Sequence, residues 1–198
     1  MNINELKDRA YKIACEHGWY DDNHSDSAEV MLVITELSEA VNADRIGKYA
    51  QRIMFERESV TAQLNPERHW RYCYQTFIKD TVEDELADAI IRILSFAGCK
   101  GISLTDEFFV DSNIREAVKG YEYARKRKGE SPYSFPAQMF IVVGGLVDIF
   151  KDECKTSMEE IMCQIFITAY LRNIDLFWHI EQKLKYNESR PYKHGKKY

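Results

Sequence analysis

Apolar residues recur at three- and four-residue steps along most of this chain, and strand-like alternation of apolar and polar positions is rare. The pattern is clearest in KDTVEDELADAIIRILSFAG (79–98), with a helix start near Asp80 or Thr81 and a stop at Gly98. From Glu85 onward, Leu86, Ile90, Ile93, Leu94 and Ala97 fall on one face of a helix. The run VMLVITELSEAV (30–41) repeats the arrangement inside a helix expected over about 28–45, capped by Ser25 or Ser27. A first helix is expected over about 5–17, capped by Asn4 and ended by Gly18. Others are expected near 106–128, 137–152 and 157–185, with SPYSFP (131–136) as a linker. The interval 47–79 is less regular; its aromatic stripe of Trp70, Tyr72, Tyr74 and Phe77 points to packing. Few prolines and glycines and the helical period together predict an all-α bundle.

Composition narrows the class. At 198 residues and 45% hydrophobic, the chain has ample material for a buried core. A net charge of −5 carries no general nucleic-acid signal, so no nucleic-acid partner is expected. Five cysteines, odd in number and without a CxxC pair, suit reduced thiols and speak against zinc or a disulfide framework. The N-terminal stretch is charged and amphipathic, and the longest apolar run, 139–147, is too short for a bilayer. A soluble, cytoplasmic protein with no membrane partner is the expectation.

Two pairs of acids change the picture. Glu36 and Glu39 are three apart in an otherwise apolar run, and Glu85 and Asp88 are three apart on the later helix, so each pair shares a face. Four carboxylates brought together repel one another unless a cation sits among them, and oxygen-only ligands favour Mg²⁺, with Mn²⁺ as the substitute. A solvated helix face is the alternative for such spacing. For Glu83 and Asp84, beside the helix start, it is the preferred one. The cation reading requires the four groups to converge without being locked in arginine bridges.

The C-terminal stretch KLKYNESRPYKHGKKY (183–198) carries six Lys and Arg residues against one acid. Lys183 and Asn187 are four apart on a helix, and Arg190 precedes a Pro-Tyr turn. A solubilising basic tail or a nucleic-acid tail is the alternative, but such cations opposite an acidic metal cluster are what a polyphosphate requires. Trp19 is either a loop anchor or a ring that stacks on a nucleobase. The basic helix end ARKRKG (124–129) is a solvated terminus or a phosphate contact. The segment MFIVVGGLVDIF (139–150) also lies over MLVITELSEAVN (31–42), and NIDL (173–176) over GISL (101–104). In that overlay Gly144 and Val147 stand where Glu36 and Glu39 stand, as in a faded repeat that has lost its acids.

TELSEAVNADRIGK, FIKDTVEDELADAIIRILSFAG and YNESRPYKHGKKY, in that order, resemble the MazG-like branch of the all-α nucleoside-triphosphate pyrophosphohydrolases. The family's ExxE and ExxD pairs correspond to Glu36/Glu39 and Glu85/Asp88. The resemblance covers 31–48, 77–104 and about 173–198. It implies one MazG-like domain over 1–198, with catalytic helices over about 28–104 plus the tail, and an inserted or degenerate helical half over about 105–172. The interval between the acid pairs is longer than the family's short loop, and the 105–172 segment is absent from small members. Small members form homo-oligomers, whereas the related dimeric dUTPases carry a degenerate second unit in the same chain; a homodimer is expected here.

The activity implied is Mg²⁺-dependent hydrolysis of a (d)NTP to the (d)NMP and pyrophosphate. Glu36, Glu39, Glu85 and Asp88 would hold metal, with Glu36 helping to take the water's proton. Lys183, Asn187 and Arg190 would hold phosphate and sugar, Lys193, His194 and Lys196 would close over the site, and Trp19 would meet the base. A non-catalytic nucleotide-sensing or adaptor bundle is the alternative. A di-iron carboxylate bundle would need Glu-x-x-His pairs, but Asp88 and Asn42 occupy the positions three after Glu85 and Glu39.

Overall fold

A computed structural model describes residues 2–22, 25–61, 64–129, 133–152 and 155–195 of the protein, excepting the side chains of 148–152, 155–157 and 194–195. Among the described residues the chain is all-helical, with no strand: α1 (Ile3–Glu16), α2 (Asp26–Arg45), α3 (Arg52–Glu58), α4 (Pro66–Phe77), α5 (Val82–Cys99), α6 (Asp111–Arg127), α7 (Phe135–Asp152), α8 (Lys155–Leu171) and α9 (Leu176–Glu188). Short 3-10 turns lie at Asp106–Phe109 and Tyr192–Gly195. None of these helices is long and apolar enough to cross a membrane. The four described cysteines, Cys15, Cys73, Cys99 and Cys163, are free thiols.

Helix α5 is the centre, packed against α1, α2, α8 and α9. Leu86, Ile90, Ile93, Leu94 and Ala97 are all buried, as the apolar period predicts. Val33, Leu37 and Ala40 of α2 and Ile3, Leu6, Ala10 and Ile13 of α1 close the core from two sides. On the far side α7 packs on α2, and α8 on both α7 and α5. Helix α9 is tied to α1 by Arg9, whose guanidinium donates to Glu181 at 2.7 Å and Glu188 at 2.8 Å.

Several local expectations shift. Asn2, not Asn4, caps α1, because its side chain accepts from the Glu5 amide. Asn4 instead pins α1 to the connection that follows α5, donating to the Leu104 carbonyl at 2.8 Å and accepting from the Leu104 amide at 2.9 Å. Ser25 caps α2 and Thr81 caps α5. The irregular interval contains two helices: α3, and α4, which begins at Pro66 behind an Asn65 cap. The single helix expected over 157–185 is broken at Asn173, which takes φ 58°, and Asp175 caps the restart as α9. That break turns the C-terminal helix back across α1 and α5, where Lys183 can reach the acidic end of α5.

The aromatic stripe of α4 divides. Trp70 and Tyr74 are buried in a second small core with Phe55, Ile78 and Tyr186, whereas Tyr72 is exposed. The basic end of α6 (Lys126, Arg127 and Lys128) is solvated.

Candidate metal and phosphate site

A cleft of about 220 Å³ opens between α1, α2, α5 and α9. Glu36, Glu39, Glu85, Asp88, Lys183, Asn187, Arg190 and Trp19, all singled out in the sequence, line it. One wall is charged, and the other is built from Ala10, Ile13, Leu32 and Ile91 with Trp19 and Tyr20. Helix periodicity explains the gathering: α2 and α5 each present two acids on the side facing away from their core residues.

The four acids are not equivalent. Glu36, Glu39 and Glu85 each place a carboxylate oxygen within 4.8 Å of the others, close enough for one ion to span them. Glu85 is only 4% exposed, and its carboxylate takes no hydrogen bond or ion pair from any described residue. Burial, and then the charges of Asp84, Asp88 and Glu36 against the opposing pull of Lys183, push its carboxyl up to about 9. At neutral pH such a carboxyl keeps its proton, and a cation entering the cleft would have to displace it. Glu39 is exposed and equally without a described partner.

Glu36 and Asp88 depart from the expectation of four free carboxylates. Glu36 accepts from Arg92 Nε at 2.5 Å, although burial and the charge of Asp88 still push its carboxyl upward. Asp88 stands beside the trio, with Oδ2 bonded to Lys183 Nζ at 2.8 Å. Burial would raise Asp88, but Lys183, Arg92 and Arg190 outweigh it and hold its carboxyl below the usual range. The site therefore carries its own counter-cations. Arg92, one turn beyond Asp88 and on the same stripe as Glu85, is the residue that sequence reasoning missed.

Lys183 also differs from expectation. It is 4% exposed, and its ammonium is shared between Asp84 and Asp88, at 2.8 Å each, rather than left open to phosphate. Burial alone would lower it, yet the surrounding carboxylates keep it charged. Glu83 and Asp84, expected on a solvated face, are buried: Glu83 accepts from the Ala50 amide at 2.8 Å, and Asp84 from Lys183, Tyr74 and the Asp80 amide. The reason is tertiary, since α4 and α9 cover that side of α5's first turn. Arg190, by contrast, makes no carboxylate ion pair among the described residues, although its charge acts on Asp88; it lines the cleft with its guanidinium over the Tyr186 ring, 5.7 Å from the centroid. Asn187 Oδ1 is buried there without a hydrogen-bond donor.

Beyond Arg190 the tail docks on the α1–α2 turn, beside the cleft but not among the residues that line it. The Lys193 amide donates to the His17 carbonyl at 3.0 Å, Lys193 Nζ pairs with Asp22, and the Tyr192 hydroxyl donates to Asp21. Lys193 thus meets a carboxylate instead of standing free. His194 lies in the last 3-10 turn with its side chain outside the described residues, and Lys196 lies outside them altogether. Gly18 makes the docking possible: it takes φ 76°, and a Cβ there would come within 2.1 Å of the Tyr192 ring. Gly18→Ala is expected to cost about 1–2 kcal/mol and to release the tail. Trypsin cleavage after Lys193 should then accelerate several-fold; an unchanged rate would show the tail does not depend on this contact.

Compared with known proteins, the chain matches no family model, no curated protein and no solved structure.

Proposed function

We propose that the protein is a MazG-like, Mg²⁺-dependent nucleotide pyrophosphohydrolase that cleaves a (d)NTP to the (d)NMP and pyrophosphate. The observation that carries this reading is Glu85: a buried carboxylate with no hydrogen bond or ion pair among the described residues, within 4.8 Å of two others, in a cleft that Arg190 also lines. A structural ion pair would supply Glu85 with a fixed cation, and a solvated face would leave it exposed. Oxygen donors alone, from two rigid helices, suit a hard ion that keeps some of its waters. Glu36, Glu39 and Glu85 would hold it, with the oxygen of Asp88 not taken by Lys183 alongside. Bound there, Mg²⁺ or Mn²⁺ would neutralise phosphate charge and acidify a water.

The chain's own groups supply the rest. Arg190 offers a forked donor to phosphate oxygens, and Arg92 can turn to them once Glu36 is engaged by a cation. Glu36, with its raised carboxyl, is suited to receive the water's proton at the oxygen not bonded to Arg92. Asn187 Oδ1 lacks a donor that a sugar hydroxyl would provide. Trp19 and the apolar wall give a flat surface for a base. The packing of α7 and α8 beside α2 and α5 supports the idea of a second helix pair in one chain, with Gly144 and Val147 where α2 has its acids. The homodimer belongs to the same proposal.

One observation favours the non-catalytic alternative, the Arg92 bridge to Glu36, since a sensor needs no free base. Incubation with a panel of NTPs and dNTPs plus Mg²⁺ separates the two. Pyrophosphate is the expected product, lost in Glu36→Gln and in Asp88→Asn with the helical spectrum intact. Orthophosphate as sole product, or nucleotide binding without turnover, would remove the hydrolase reading.

A further inference from the structure

Helices α3 and α4, between the two acidic pairs, contribute no residue to the lining of the cleft, which takes only Lys79 and Asp80 from that interval, yet a side chain of α4 is bonded to the acidic helix. Tyr74 of α4 is fully buried. Its ring is stacked on Trp70 (centroids 5.4 Å apart, 26°) and on Tyr186 of α9 (4.5 Å, 15°), with Phe55 of α3 edge-on at 6.3 Å. A ring held from three sides has one place to put its hydroxyl, and that hydroxyl donates to Asp84 Oδ1. Asp84 Oδ2 accepts from the Asp80 amide at 2.9 Å, a bond that Asp80 makes from a left-handed φ of 59°. The same Oδ2 accepts from Lys183 Nζ at 2.8 Å, and Lys183 in turn reaches Asp88 Oδ2.

We infer that Tyr74 is a positioning residue for the cation site, acting through Asp84 and Lys183 to fix how Asp88 is presented. The inference rests on the hydrolase reading above. Asp84 has carboxylate neighbours of its own, Asp80 and Glu85, each with an oxygen within 4.8 Å. But it does not line the cleft, and both its oxygens are taken, Oδ1 by Tyr74 and Oδ2 by the Asp80 amide and Lys183. It acts by sharing the charge of Lys183 with Asp88. Were Asp84 absent, Lys183 would be balanced by Asp88 alone and would draw that carboxylate away from a cation. Were Tyr74 absent, Asp84 would lose the donor that orients it, and Lys183 its fixed point. Tyr186, on α9 within a turn of Lys183, ties the aromatic stack to the lysine's own helix; its hydroxyl accepts from Gln75 of α4 at 3.1 Å. The long interval between the acid pairs thus braces the site from behind. Outer-shell partners of metal ligands act in this manner, and their loss typically weakens metal affinity about 10–100-fold.

The test is Mg²⁺ and Mn²⁺ binding by titration calorimetry on the full chain, without nucleotide, so that it does not depend on turnover. Tyr74→Phe keeps the ring stack and should weaken binding about 3-fold, and Asp84→Asn about 10-fold, with the circular dichroism unchanged. The double variant Asp84→Asn with Lys183→Met removes the charge pair as a unit and frees Asp88, so affinity should recover to about 3-fold of wild type or better. A merely structural network predicts the opposite order, with the double variant worst. Unchanged affinity in both single variants, or no recovery in the double one, overturns this inference alone. A wild type that binds neither ion overturns the hydrolase reading itself.

Discussion

If the protein is the pyrophosphohydrolase proposed above, Glu85→Gln is expected to abolish pyrophosphate release and to leave the metal-free protein as stable as wild type, or more so, at pH 7. Both effects come from one side chain. Burial and neighbouring acids push the Glu85 carboxyl from an ordinary 4.5 up to about 9, so the folded protein holds a proton there that the unfolded chain gives up. Its contribution to stability is complete below about 4.5 and is lost as pH rises through about 9. At pH 7 the penalty relative to acid conditions is about 3 kcal/mol, and a neutral amide escapes it. A cation reverses the balance. At a hundred times its dissociation constant, Mg²⁺ should stabilise the wild type by about 2.7 kcal/mol and the variant by far less. Thermal melts at pH 5, 7 and 9, with and without Mg²⁺, check both halves. A variant that keeps its rate, or gains as much from Mg²⁺ as wild type, would show that Glu85 is not a ligand.

Lys183→Met in the otherwise intact chain should cost about 3–5 kcal/mol, among the largest losses any single polar substitution here would cause. The methionine fills the space, but Asp84 and Asp88 are left without their shared counter-ion. The pH dependence identifies the cause. Lys183, with Arg92 and Arg190, holds the Asp88 carboxyl below the usual carboxylate range despite its burial, so that contribution is present above an ordinary carboxyl's pKa and lost as pH falls through the folded value. The deficit should therefore be greatest near neutrality and shrink toward pH 3. Urea unfolding across that range measures it, and a loss independent of pH would point to packing rather than charge.

These two expectations separate residues that looked alike in the sequence. Glu36, Glu39, Glu85 and Asp88 were legible because acids inside apolar helical runs are conspicuous, and three-residue spacing places each pair on one face. Asp84 was misread as solvated because its neighbours in sequence are polar and its partners are remote: Lys183 comes from 99 residues away. Tyr74 was legible as a packing residue but not as a donor, since its hydroxyl partner is set by how α4 crosses α5. Arg92 left a signal that went unused, a cation four residues after Asp88 on the polar stripe of an otherwise buried helix. The break at Asn173 carried little sequence warning, because Asn is tolerated within helices and its left-handed turn is selected by the docking of α9.

By itself the sequence determined the helical class, the central place of the run 79–98 and the two acid pairs, because a helix's periodicity is local and reports its own faces. Tertiary structure alone decided which carboxylate stays open to a cation and which is neutralised by lysine or arginine. That choice depends on distances of a few ångströms between α2, α4, α5 and α9. The energy of a buried charge depends so steeply on its nearest counter-ion that spacing along the chain cannot stand in for those distances.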